Sequence, residues 1–63
     1  MIKLNGKDRS DCRNIDVLME ENQFDRKRVA VLVNGEIVKR DNWTDFDLKP
    51  GDEVDVVTFV GGG

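Results

Sequence analysis

The closing stretch Val54-Asp55-Val56-Val57-Thr58-Phe59-Val60, running straight into Gly61-Gly62-Gly63, decides how this chain is read. Its β-branched valines, Thr58 and the aromatic Phe59 suit an extended strand whose alternate residues face opposite sides. Just before it, Pro50-Gly51 presets a tight type II turn, because that turn needs a positive φ that glycine supplies without steric cost. Just after it, glycine without a Cβ reaches backbone conformations closed to other residues and fits channels no wider than the main chain. Three such residues at about 3.5 Å each extend roughly 10 Å beyond the strand. That length is enough to carry a terminal carboxylate into another protein's active site while the folded body stays outside. Terminal glycines alone also describe a plain frayed end, so the reading depends on what precedes them.

Working outward, Met1 to Leu4 alternates Ile2 and Leu4 against Lys3, and Asn5-Gly6 is the pair best suited to a two-residue hairpin turn. Lys7 to Cys12 is expected to return as a second strand, its polarity marking a sheet edge. Asn14 is placed to cap a short helix with Ile15, Leu18 and Met19 on one apolar face and Asp16 in the first turn, ending near Asn22-Gln23 before Phe24. Arg28 to Val33 is apolar at every position from Val29 onward, which predicts an interior strand with two hydrophobic faces. Asn34-Gly35 is a second hairpin signal, returning through Glu36-Ile37-Val38. Asp41 to Leu48 carries Trp43, Phe46 and Leu48 without a clean period and reads as an irregular or 3₁₀ segment pinned to the core. Trp43 is expected to be a plug under that loop, given the area an aromatic buries. The last strand is expected over Val54 to Val60.

This order suits an α+β domain with one helix packed across one face of a mixed sheet. With the first and last strands as parallel neighbours at the centre, the helix lies within the crossover connection, the β-grasp (ubiquitin-like) arrangement. Residues 1–60 form that domain and residues 61–63 a flexible tail. Strand parity sends Ile2, Leu4, Val29, Val31, Val33, Val54 and Val56 toward the helix, and Ala30, Leu32, Val57 and Phe59 to the far side. With a single helix, nothing in the chain covers that side. Each exposed Leu, Val or Phe forgoes about 1.5–3 kcal/mol of burial, so together they read as a docking surface continuous with the tail.

Composition narrows the function classes. At 63 residues the chain is one small domain, burying only about 60% of its unfolded surface, and no deep catalytic cleft is expected. Charged residues are 37% of the chain and the net charge is −3, against the concentrated cationic face a nucleic-acid binder needs. Arg26-Lys27-Arg28 and Lys39-Arg40 read as solvated strand ends. The single Cys12 excludes an internal disulfide framework and points to a reducing compartment. With no histidine in the chain, Cys12 has no base to activate it and reads as a bystander. No signal peptide and no membrane-length apolar run are visible, so a soluble, cytoplasmic protein is expected.

Three segments then carry a resemblance: Val33-Asn34-Gly35-Glu36-Ile37-Val38 with Arg40 and Trp43; Leu48 with Gly51-Asp52 and Val54; and Val57 with Val60-Gly61-Gly62-Gly63. Over residues 29 to 63 the chain resembles the ThiS family, the small sulfur carriers of thiamine biosynthesis. The N-terminal half is similar only in outline. The resemblance implies a carrier rather than an enzyme. In the family a ThiF-like adenylating partner, using ATP and Mg²⁺ in its own site, converts the terminal carboxylate, here that of Gly63, to an acyl-adenylate. Sulfur from a persulfide-bearing donor then replaces AMP to leave a thiocarboxylate, which a ThiG-like thiazole synthase consumes. Carried onto this chain, Gly63 bears the covalent chemistry and Gly61 and Gly62 thread the channel. Leu32, Val57 and Phe59, beside Ala30, anchor the partner, and Asp52, Glu53 and Asp55 offer charge complementarity to a basic partner. No cofactor, metal or catalytic residue is expected on the chain itself, which is expected to be a monomer when free.

Other classes stay open at this point. The same tail would serve a carrier of another pathway, such as the small subunit of molybdopterin synthase. It would also serve a protein modifier joined to lysines, although the basic residues that precede Gly-Gly in ubiquitin are missing. A noncovalent module with an inert tail is the remaining alternative.

Overall fold

Two Asn-Gly pairs set the hairpins. Asn5 and Gly6 lie at φ 50° and 81°, Asn34 and Gly35 at 52° and 87°, the paired left-handed conformations of a type I′ turn, whose twist matches that of the flanking strands. The first turn joins β1 (Ile2–Leu4) to β2 (Lys7–Arg9), and the second joins β3 (Val29–Val33) to β4 (Glu36–Val38). Gly51 at φ 91°, with the Asp52 N–H donating to the Lys49 carbonyl at 3.0 Å, makes the expected turn into β5 (Glu53–Thr58). The structure, a computed structural model, describes residues 1–59. Val60 and the Gly61-Gly62-Gly63 tail, with the expectations placed on them, lie outside the described residues.

The sheet has the order β2-β1-β5-β3-β4. β5 runs parallel to β1 and antiparallel to β3, so first and last strands are neighbours in the middle of a mixed sheet. Both turn asparagines also hold β5 directly: the Val56 N–H donates to Asn5 Oδ1 at 2.8 Å and the Glu53 N–H to Asn34 Oδ1 at 3.0 Å. The side chain of each turn thereby satisfies a backbone donor of the final strand.

Helix α1 (Ile15–Glu21) starts where Asn14 Oδ1 accepts the Val17 N–H at 2.9 Å, with Asp16 in the first turn. At seven residues it is too short to persist alone, and it is held by Ile15, Leu18 and Met19, which the sheet buries completely. Opposite them lie Ile2, Leu4, Val29, Val31, Val33, Val54 and Val56, all buried, the inward set that strand parity predicts. A 3₁₀ turn over Arg40–Asn42 swings Trp43 under the sheet, where it is 2% exposed. Its Nε1–H donates to the Val38 carbonyl at 2.9 Å, so the indole fills the core end and satisfies its polar edge. Leu48 is buried as well, its N–H bonded to the Arg13 carbonyl at 3.1 Å.

Strand limits depart from the sequence reading in three places. β2 ends at Arg9 instead of Cys12, because the chain leaves the sheet there to carry Cys12 into the core and Asn14 to the head of the helix. β3 begins at Val29, not Arg28, although the Arg28 carbonyl still accepts the Phe59 N–H at 2.7 Å. β5 begins one residue early, at Glu53, which pairs with Lys3, and as a strand it ends at Thr58.

Candidate functional site

The far face of the sheet is assembled by register. Ala30 stands opposite Val57 and Leu32 opposite Asp55, and Leu32 also stands opposite Ile37 on the other flank. Cross-strand partners share a face, so Ala30, Leu32, Ile37, Asp55 and Val57 lie together, with Phe59 next along β5's direction. Among the described residues no helix covers them: Val57 is 51% exposed, Phe59 58% and Ile37 71%, while Ala30 and Leu32, inside the sheet, are half-buried. All four apolar residues marked by sequence parity, Ala30, Leu32, Val57 and Phe59, are therefore brought together. Ile37 is the one that sequence reasoning missed. A two-residue turn at Asn34-Gly35 fixes Leu32 opposite Ile37, so the hairpin signal itself held the information.

The acidic residues separate into two kinds. Glu53 and Asp55 are exposed and share the parity of Val57 along β5, which extends the apolar patch into an acidic margin at the strand's start. Asp52 lies in the turn before β5, and its carboxylate is engaged: Oδ2 accepts the Lys49 N–H at 2.8 Å and Oδ1 accepts Asn34 Nδ2 at 3.2 Å. It ties the Pro50-Gly51 turn to the β3–β4 hairpin. From Glu53 to Phe59 the strand rises about 20 Å, so the acidic margin and the root of the tail stand at opposite ends of the face.

Cys12 is buried, with its thiol facing Glu21 Oε1 at 3.3 Å and the Ser10 carbonyl at 3.7 Å. Burial, and then the hydrogen bond and charge of Glu21 with the charge of Asp11, push the thiol up from its ordinary 9.0 to about 11. A thiol so disposed stays protonated at neutral pH and is a poor nucleophile. Among the described residues, no group of three or more His, Cys, Asp or Glu is gathered to hold a metal ion. No helix among them is long and apolar enough to cross a membrane.

The described part of the site is thus an uncovered apolar face with an acidic margin, and its apolar end is Phe59, the last of the described residues. Comparison with known proteins gives a consistent picture. The sequence model of the ThiS family matches residues 2–63. The chain is 36% identical over 66 aligned residues to the sulfur carrier protein ThiS of Bacillus subtilis (strain 168), covering all of both proteins. It is 34% identical over 62 residues to a thiazole synthase of Paramagnetospirillum magneticum, an alignment that takes in 95% of this chain but 19% of that protein. The crystal structure of the thiamine biosynthesis protein ThiS from Geobacter metallireducens superposes with a TM-score of 0.82 at 30% identity, over 98% of this chain and 97% of that one.

Proposed function

The chain belongs to the ThiS family, and from that premise we propose that it is a sulfur carrier of thiamine biosynthesis, loaded at the Gly63 carboxylate. A carboxylate repels nucleophiles and has no good leaving group, so it must be activated. An adenylating partner of the ThiF type, holding ATP and Mg²⁺ in its own site, joins the Gly63 carboxylate to the α-phosphate and releases pyrophosphate. The terminal sulfur of a donor persulfide then attacks the acyl carbon and expels AMP. Reduction of the resulting acyl disulfide by a thiol frees the thiocarboxylate. Gly61 and Gly62 thread the partner's channel, where a Cβ would meet the walls.

The observation that carries this reading is the uncovered face of Ala30, Leu32, Ile37, Val57 and Phe59, which ends at the root of the tail. A domain that leaves Ile37, Val57 and Phe59 exposed beside a threadable terminus is built to be held by another protein while its end is worked on. Thiazole synthase is the acceptor this reading favours. Its support is the thiazole synthase in which a stretch similar to this chain makes up 19% of the polypeptide, carrier-like and synthase portions being joined in one protein. Incubation with the adenylating enzyme, ATP, a persulfide donor and a thiol should raise the intact mass by about 16 Da, sulfur for oxygen. An unchanged mass under those conditions overturns the reading.

A further inference from the structure

Two basic runs distant in sequence, Arg26-Lys27-Arg28 and Lys39-Arg40, meet in the fold. Val29 stands opposite Thr58 and Val31 opposite Val38, so the chain entering β3, the chain leaving β4 and the chain leaving β5 share one end of the sheet. There Arg40 Nη1 donates to the Arg26 carbonyl at 3.5 Å. Arg26, Lys27, Lys39 and Arg40 rim a shallow groove of about 390 Å³ whose floor includes Ile37 and Phe59.

Three carboxylates also stand at this end. Asp16 pairs with Arg26 at 3.2 Å, Asp25 pairs with Arg28 at 3.5 Å, and Asp41 lines the groove. Asp25 Oδ1 also accepts the Lys27 backbone N–H at 3.0 Å, but among the described residues the side-chain nitrogens of Lys27, Lys39 and Arg40 have no carboxylate within 4.0 Å. The chain as a whole carries −3, so the acidic surplus lies elsewhere. At the opposite end of the sheet Asp8, Glu36, Asp52, Glu53 and Asp55 stand among Lys3, Lys7, Arg9 and Lys49, so the charges there come close to balance. The cationic excess is a local one, at the end of the sheet where β5 finishes.

Building on the carrier reading, we propose that Lys27, Lys39 and Arg40 form a collar around the root of the tail and dock against an acidic rim on the partner protein, at the mouth of the channel that takes the tail. Reach separates this from phosphate binding. The four residues beyond Phe59 span up to about 14 Å when threaded, longer than a lysine or arginine side chain. A nucleotide on Gly63 therefore lies out of the collar's range, whereas the channel mouth lies against it. The apolar floor also fits a protein surface better than a polyphosphate or nucleic acid, which binds through many phosphate contacts at once. The local cationic excess has a kinetic use: an acidic mouth attracts the collar more than the rest of the surface, so encounters favour the tail-first orientation.

The test is ATP–pyrophosphate exchange by the adenylating partner, with the carrier as varied substrate at low and high salt. For the unmodified chain KM should rise with salt; Lys27→Glu/Lys39→Glu/Arg40→Glu should raise KM about tenfold or more at low salt, with kcat within about twofold, and should abolish that rise. Lys27→Gln/Lys39→Gln/Arg40→Gln, a milder change on exposed side chains, should give an intermediate rise. Lys7→Glu/Arg9→Glu/Lys49→Glu changes net charge equally but away from the collar, and should shift KM less than about threefold. A collar variant indistinguishable from that matched variant overturns the inference and leaves the carrier reading standing. A fall in kcat at unchanged KM overturns it too, since it puts the cations at the nucleotide. No exchange with the unmodified chain overturns the carrier reading and this surface with it.

Discussion

At the scale of single residues, chemistry and packing are kept apart. Gly63 is the proposed reactive end, whereas the one residue with intrinsic nucleophilicity, Cys12, is buried and faces Glu21. Because burial and neighbouring acids raise the Cys12 thiol from 9.0 to about 11, the folded state holds that proton longer than the unfolded chain does. Above the unfolded value the native state binds more protons, so stability must fall as pH rises. Urea denaturation should therefore show the thiol's contribution intact below pH 9 and lost as pH climbs toward about 11. Native-state labelling by a thiol reagent at pH 8 should be far slower than labelling of the urea-unfolded chain. Equal labelling rates in the two states would contradict this placement. The absence of any histidine pointed the same way in the sequence, since a thiol with no base has little to activate it.

Elements show why much of the fold was legible. Asn-Gly pairs allow few conformations, so each dictated a two-residue turn and with it the pairing of two strands. The helix announced itself through Asn14 and the Ile15, Leu18, Met19 stripe, and the parity of β3 and β5 divided core from surface correctly. What escaped depended on distant parts of the chain. β2's early end is set by where Cys12 and Asn14 must go, Asp52's engagement by a hairpin eighteen residues away, and the place of the basic runs beside Phe59 by the pairing of β5 with β3. Ile37 lay between these cases, flanked by Glu36 and Val38 in a strand of three residues and placed on the apolar face by its register with Leu32. Replacing it tests the face: Ile37→Glu, with 71% of the residue exposed, should change unfolding free energy by about 1 kcal/mol or less. The same change should weaken binding to the adenylating partner by about tenfold or more. Isothermal titration beside a denaturation curve separates the two effects. Loss of stability with undiminished binding would remove Ile37 from the docking face.

Taken whole, the molecule is a small domain with one cationic end and an uncovered apolar face. A domain this small buries too little surface to enclose a catalytic site. It can nonetheless present a terminus, an uncovered apolar face and the proposed cationic collar, and all three meet at Phe59. The account's central claim is that sulfur resides on the last residue. Fragmentation of the intact protein by mass spectrometry, after loading with adenylating enzyme, ATP and persulfide donor, tests it most directly. The account predicts a gain of about 16 Da on fragments containing Gly63 and none on N-terminal fragments ending at Phe59. A gain of about 32 Da on fragments containing Cys12, the mark of a persulfide, with Gly63 unchanged, would contradict it.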